Sequence, residues 1–220
     1  MRNVIFDLDG TLMDTSGDLI AAANSRFRDL GLGDLLDPVA DAGTALRGGR
    51  AMLRAGFARV GGFGEDEVDR QYRPLLEAYA SDIDRHTTIY PGAMEAVEAL
   101  TGLGYRVGIC TNKPEALAEE LLRRMGVRGA FAALVGADTL PVRKPDPEHL
   151  RETSRRAGGD PARACLVGDS DTDRNTARAA GVPSILVTFG PAGGDMPALE
   201  PEALLDDYAR LVDVVESLAL

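Results

Sequence analysis

Lysine is almost missing from this chain. Of its 24 basic residues 22 are arginine, and only Lys113 and Lys144 break the pattern. There is no tryptophan, and there are two histidines, His86 and His149, and two cysteines. Cys110 and Cys165 lie far apart in apolar runs, so no disulfide framework is expected and both read as buried thiols of a reducing compartment. No apolar run approaches the ~18 residues of a spanning helix, so no membrane helix is expected. Positive charge is scarce as well. Thirty-five acids against 24 bases give a net charge of −11. That opposes a nucleic-acid groove, which needs a basic face, and adhesion to anionic lipid. The first residues run straight into an apolar strand ending at Asp7, not into a cleavable leader. What remains is a soluble, cytoplasmic, globular protein. Its 220 residues suit one large domain or two small ones, enough to bury a core without disulfides or structural metal.

Short apolar runs recur along the chain: Val4–Phe6, Val107–Cys110, Ala133–Val135, Ala164–Val167 and Ser184–Val187. Near-continuous apolar runs of this length are what parallel strands covered on both faces look like. Helical stripes separate them, Ala93/Val97/Leu100 and Leu117/Leu121/Met125, with a weaker Leu150/Ala157 pair after Pro147. The alternation predicts an α/β fold with a Rossmann-like, doubly wound parallel sheet. Residues 15 to about 86 break the rhythm. They hold amphipathic stretches (Leu19, Ala23, Phe27, Leu30; Val68, Tyr72, Leu75, Leu76, Tyr79) and no strand run. An inserted helical unit over 14–86 is therefore expected, with 1–13 and 87–220 forming the sheet domain. Near the end, Leu204, Tyr208, Leu211, Val215 and Leu218 keep a heptad-like spacing that predicts a short helix docked on the core, starting somewhat after Leu204.

Chemistry-bearing residues cluster at the strand ends. Asp7-Leu8-Asp9-Gly10-Thr11 follows the first strand, where open α/β sheets place their ligands. Asp-Gly alone marks a turn, but two aspartates at i and i+2 repel unless a cation or proton compensates. Thr111-Asn112-Lys113-Pro114 ends the second strand. Its hydroxyl and free N–H groups could cradle an anion, although taken alone it reads as a plain helix cap with Pro114 as first helical residue. Arg143-Lys144-Pro145-Asp146-Pro147 follows the third strand, and one of the two lysines sits in it. A Pro-flanked ammonium there would offset carboxylate repulsion and bind phosphate as a point charge. Gly168-Asp169-Ser170-Asp171-Thr172-Asp173 follows the fourth. Oxygen donors without clustered His or Cys suit Mg²⁺ and not zinc.

These four clusters, in order and spanning essentially the whole chain, resemble the haloacid dehalogenase superfamily, and the insertion resembles that family's helical cap of the first type. Thr111-Asn112-Lys113-Pro114, Tyr90-Pro91-Gly92 and Val167-Gly168-Asp169-Ser170 are most similar to its phosphoglycolate phosphatases. The resemblance implies a hydrolase of small phosphate monoesters, with 2-phosphoglycolate the preferred substrate. It implies Asp7 as nucleophile forming an aspartyl-phosphate, and Asp9 as general acid, then base. Mg²⁺ would be held by Asp7, Asp169 and the backbone carbonyl of Asp9, with Asp173 supporting. Thr111 and Asn112 would hold phosphoryl oxygens, and Lys144 would orient Asp7 and neutralise transferred charge. Lys113 is a further candidate for substrate contact. Monomer or homodimer are equally compatible.

Phosphate monoesters hydrolyse so slowly unaided that accelerations up to ~10²¹ are known, which requires positioning, a metal and fixed cations together. A metal-free dehalogenase would not need Asp9 and Asp169. A β-phosphoglucomutase-like enzyme uses His and Lys from its cap, and residues 15–85 contain neither, with His86 at the hinge. Sugar-phosphate phosphatases and pyrophosphatases stay open; a catalytically silent binding protein is the remoter alternative, against which intact Asp7, Asp9, Lys144 and Asp169 speak. In the insertion, Arg47, Arg50 and Arg54 fall at i, i+3 and i+7, one face of a helix, as a solvated stripe or, through Arg47, a grip on a substrate carboxylate. His149 has no ligand spacing and no expected role.

Overall fold

The computed structural model describes every residue except Ala219. The chain divides into two compact units, Met1–Met13 with Ile89–Leu220, and Asp14–Thr88. Among the described residues no helix is long and apolar enough to cross a membrane.

The first unit is built on six parallel strands: β1 (Asn3–Phe6), β4 (Arg106–Cys110), β5 (Ala133–Val135), β6 (Ala164–Gly168), β7 (Ser184–Val187) and β8 (Ala203–Leu205). They lie in the order 5-4-1-6-7-8. The helices are α5 (Ala93–Gly102), α6 (Glu115–Arg124), α7 (Pro147–Arg156), α8 (Asp171–Ala180) and α9 (Leu211–Ser217). Leu150 of α7 and Ala177 of α8 pack with Ile5, Cys110, Ala164 and Leu166 in one buried cluster. This is the doubly wound α/β sheet that the alternating pattern predicts. Register then aligns the chemistry. Phe6 pairs with Ile109 on one side and Val167 on the other, so Asp7, Thr111 and Asp169 leave the sheet at the same edge.

Three local expectations need correction. The last helix does begin after Leu204, at Leu211, but Leu204 does not belong to its spacing; it lies in β8, a sixth strand that pairs Leu186 with Leu204 and Val187 with Leu205. Leu205 is buried and Leu204 exposed, the alternation of a strand. A three-residue edge strand has too little pattern to outvote a helical spacing that happens to run through it. Pro114 is not the first helical residue either. Its φ of −52° and ψ of 136° make it the N-cap, and α6 begins at Glu115. Arg47, third, does not share a helix face with Arg50 and Arg54. It lies between α2 (Ala42–Ala45) and α3 (Gly49–Val60), ahead of a Gly48 with φ of +94°.

The second unit is all helical apart from strand residues at its two crossings, β2 (Met13–Asp14) and β3 (Thr88–Ile89). Its long helices are α1 (Ser16–Asp29), α3 and α4 (Glu65–Ser81). The predicted stripes become its core: Leu19, Ala23 and Phe27 face Val68, Leu75 and Tyr79 across packed helices. Phe27 and Phe57 meet edge to face at 5.3 Å, a favourable aromatic geometry. The buried Asp18 carboxylate accepts from the backbone N–H of His86 and Thr87 and from the Thr87 hydroxyl. That ties α1 to the returning segment, with His86 inside this unit.

Candidate active site

The ends of β1, β4 and β6 and the loop after β5 supply the polar residues of the site, at the carboxyl edge of the sheet. The Asp7 N–H still donates to the Val167 carbonyl at 2.9 Å, which pins the start of the β1 loop against β6. The Thr111 N–H does the same to Val135 at 3.0 Å. Asn112 ties the second loop to the third, its Nδ2 donating to the Lys144 carbonyl at 3.0 Å.

The two rare lysines both end here. Lys144 Nζ lies 3.0 Å from Asp7 Oδ1 and 2.7 Å from Asp173 Oδ1, and its side chain is 2% exposed. Lys113 Nζ lies 2.9 Å from Asp9 Oδ1, with its own side chain 3% exposed. Asp173 is held on its other oxygen by the Ser170 hydroxyl at 2.5 Å and the Asp169 N–H at 3.3 Å. Ser170 in turn accepts from the Asp173 N–H, capping α8. Gly168 makes the approach possible, since a Cβ there would lie 2.4 Å from Cβ of Asp173. The Thr11 hydroxyl donates to Asp169 Oδ1 at 3.1 Å.

Burial sets the electrostatics. It pushes the Asp7 carboxyl up to about 6, against the pull of Lys144 and with the help of Asp173 and Asp9. It raises Asp169 well above the usual carboxylate range, reinforced by Asp7 and Asp173. Burial works against the Lys144 ammonium too, but Asp173 and Asp7 outweigh it and hold that group charged beyond its ordinary range. Two crowded, proton-seeking acids beside a single lysine are short of positive charge. Asp7, Asp169 and Asp173 place carboxylate oxygens within 4.8 Å of one another. Three buried hard donors that repel one another fit a small divalent cation. Asp173 is already engaged on both oxygens, which leaves Asp7 and Asp169 as the carboxylates able to turn to a cation.

A family model described as haloacid dehalogenase-like hydrolase matches residues 1–181. The chain belongs to the haloacid dehalogenase-like hydrolases. It is an enzyme of that hydrolytic class. It is 41% identical to a phosphoglycolate phosphatase of Mesorhizobium japonicum, over 98% of this chain and 95% of that one. It is also 41% identical to a phosphoglycolate phosphatase of Agrobacterium fabrum, over 94% and 89%. Among solved structures, a predicted phosphoglycolate phosphatase of Haemophilus somnus 129pt superposes with a TM-score of 0.85 at 25% identity, over 97% of both chains.

Within this hydrolase the four strand-end motifs come together as a single constellation of Asp7, Asp9, Thr111, Lys113, Lys144, Asp169 and Asp173, with Asn112 exposed at its rim. Arg47 is exposed in the helical unit and makes no ion pair with any described residue. Its former stripe partners are committed elsewhere. Arg50 pairs with Asp69 and lies 4.4 Å over the Tyr72 ring, and Arg54 binds both oxygens of Glu65. Thr11 and Ser170 stand inside the first and fourth motifs, where the sequence assigns them no role. Ser170 was detectable, since Ser followed three residues later by an acid at a helix start is a capping signal. Thr11 carried no signal beyond its place in the first motif. His149 is fully buried, bonded to the Gly136 carbonyl at 2.9 Å and to Cys110 Sγ at 3.2 Å, as a core residue.

Proposed function

We propose that this hydrolase is a Mg²⁺-dependent phosphatase of small phosphate monoesters, with 2-phosphoglycolate as its preferred substrate, working in the cytoplasm. The observation that carries the reading is Lys144, a buried ammonium 3.0 Å from Asp7 and 2.7 Å from Asp173 at the carboxyl edge of a parallel sheet. A cation so placed keeps Asp7 ionised, as a nucleophile must be, and faces the charge of an incoming phosphoryl group. The names of the relatives support the substrate.

Asp7 attacks phosphorus, forming an O–P bond as the ester O–P bond breaks. Asp9 gives its proton to the departing alkoxide, then takes one from the water that cleaves the aspartyl-phosphate, which frees phosphate and restores Asp7. Lys113, 2.9 Å from Asp9, steadies that carboxylate between the two steps. Thr111 and Asn112 hold phosphoryl oxygens. Asp7, Asp169 and the Asp9 backbone carbonyl would hold Mg²⁺, with Asp173 in support. Bound there, the ion supplies charge neutralisation on the phosphoryl oxygens. Arg47 recognises the carboxylate of the substrate.

The test is a hydrolysis screen over phosphoglycolate, sugar phosphates, nucleotides and pyrophosphate. Turnover should be highest on phosphoglycolate with Mg²⁺, poor with Ca²⁺, whose looser shell aligns the reactants badly, and lost in excess chelator. Full activity in chelator would overturn the metal requirement, and preference for another ester would overturn the substrate.

A further inference from the structure

One residue near the C-terminus reaches into the first motif. Tyr208, in the short 3-10 turn Tyr208–Arg210, is 2% exposed, and its hydroxyl donates to the Thr11 carbonyl at 2.8 Å. Thr11 is itself fully buried, and its hydroxyl donates to Asp169 Oδ1. Tyr208, Thr11 and Asp169 thus form a continuous chain from the last segment of the protein to a carboxylate of the site. The matched family model ends at residue 181, well before Tyr208.

The ring is seated as firmly as the hydroxyl. It packs 5.3 Å from Phe189, which lies 4.8 Å from Tyr90. Gly92 completes the seat: its φ is +78°, and a Cβ there would come within 3.2 Å of Cβ of Tyr208. The Tyr90-Pro91-Gly92 motif, which the mechanism leaves unused, therefore shapes the socket of this tyrosine. A phenylalanine would fill the same aromatic cluster. What tyrosine adds is one donor, aimed at a carbonyl that water cannot reach. Without it that carbonyl is buried unpaired, and the loop gains by turning to find another partner. Such a turn moves the Thr11 hydroxyl away from Asp169.

We propose that Tyr208 is a positioning residue for Asp169, holding that carboxylate through Thr11 in the orientation in which it binds a divalent cation. The proposal rests on the reading of Asp169 as a Mg²⁺ ligand. Partners one shell removed from a metal ligand typically change affinity about 10- to 100-fold when lost.

Calorimetric titration of Mg²⁺ into the resting protein, with no substrate present, tests this. Tyr208→Phe should weaken Mg²⁺ binding about 10- to 100-fold, as should Thr11→Val, while Thr11→Ser, which keeps the hydroxyl, should bind nearly as wild type does. The double variant Tyr208→Phe/Thr11→Val should be no weaker than Thr11→Val alone, because both act through one hydrogen bond to Asp169. Tyr208→Phe with a lowered melting midpoint but wild-type Mg²⁺ affinity would make the tyrosine purely structural and overturn the proposal. Losses that multiply in the double variant would overturn it as well. Should Tyr208→Phe not fold, undiminished affinity in Thr11→Val alone refutes the chain. A wild-type protein that takes up no Mg²⁺ overturns the reading of the site itself.

Discussion

The helical unit and the sheet unit both carry exposed arginine pairs, but only the sheet unit buries lysines. In the helical unit every cation is an arginine, and the pairs they make are largely in water: Arg54 with Glu65 at side-chain exposures of 52% and 63%, Arg50 with Asp69 at 42% and 63%. In the sheet unit the two lysines make their pairs almost dry, at 3% for Lys113 and 2% for Lys144. Exposed pairs contribute little, because water screens the attraction and two long side chains lose freedom to make it. Buried pairs carry a large desolvation cost and are poor at stabilising a fold. The only two lysines of the chain are buried against Asp9, Asp7 and Asp173, an arrangement that stability alone does not favour. The exposed arginine pairs of the helical unit add little to its stability.

The sharpest way to break this contrast is at Asp7. Asp7→Asn should abolish turnover while leaving the fold intact, since an amide cannot attack phosphorus. Near-native rates with an unchanged melting transition would end the covalent mechanism. The same variant carries a signature in chelated protein. A carboxyl pushed from its ordinary 3.8 up to about 6 keeps its proton longer in the folded state than in the unfolded one. The folded state then binds more protons in that window, so wild type should lose stability relative to Asp7→Asn as pH rises from about 4 to about 6. A flat difference between the two melting profiles would mean that Asp7 is not held in a destabilising environment.

Lys144→Met comes next. It leaves Asp7 and Asp173 buried without their shared cation, and breaking a buried pair from one side typically costs about 3–5 kcal/mol. Activity should fall with it, and chemical denaturation should show the loss directly. A variant as stable as wild type would erase the distinction between the two units. Arg47→Ala should be milder and selective. A charge-assisted contact is worth about 1.5–3 kcal/mol, or roughly 10- to 150-fold. The kcat/KM for phosphoglycolate should drop by about that factor, and that for an aryl phosphate without a carboxylate much less. Equal losses on both would assign Arg47 to the structure of its own unit. Smallest of all, Arg54→Ala should leave both the kinetics and the melting midpoint where they are. A clear shift in either would show that an exposed arginine pair matters more here than screening allows.

Local pattern determined much of this protein by itself. Five of the six sheet strands are short apolar runs, and α5, α6 and, more weakly, α7 carry stripes of their own, so periodicity places them, whereas α8 has none. The four motifs stand at strand ends because a parallel α/β sheet presents its loops at one edge, and the scarcity of lysine singles out Lys113 and Lys144 from composition alone. Tertiary structure decided the partners. That Lys113 faces Asp9 while Lys144 faces Asp7 and Asp173 depends on strand register, which periodicity does not encode. The strand at Ala203–Leu205 exists because β7 offers an open edge to pair with, and three residues carry no pattern of their own. The breaking of the arginine stripe came from a turn at Gly48. The bond from Tyr208 to Thr11 joins residues that only the folded sheet unit brings together. Spacing along the chain governs which face a side chain takes. Which charge or hydroxyl it meets there is settled by packing between segments far apart in sequence.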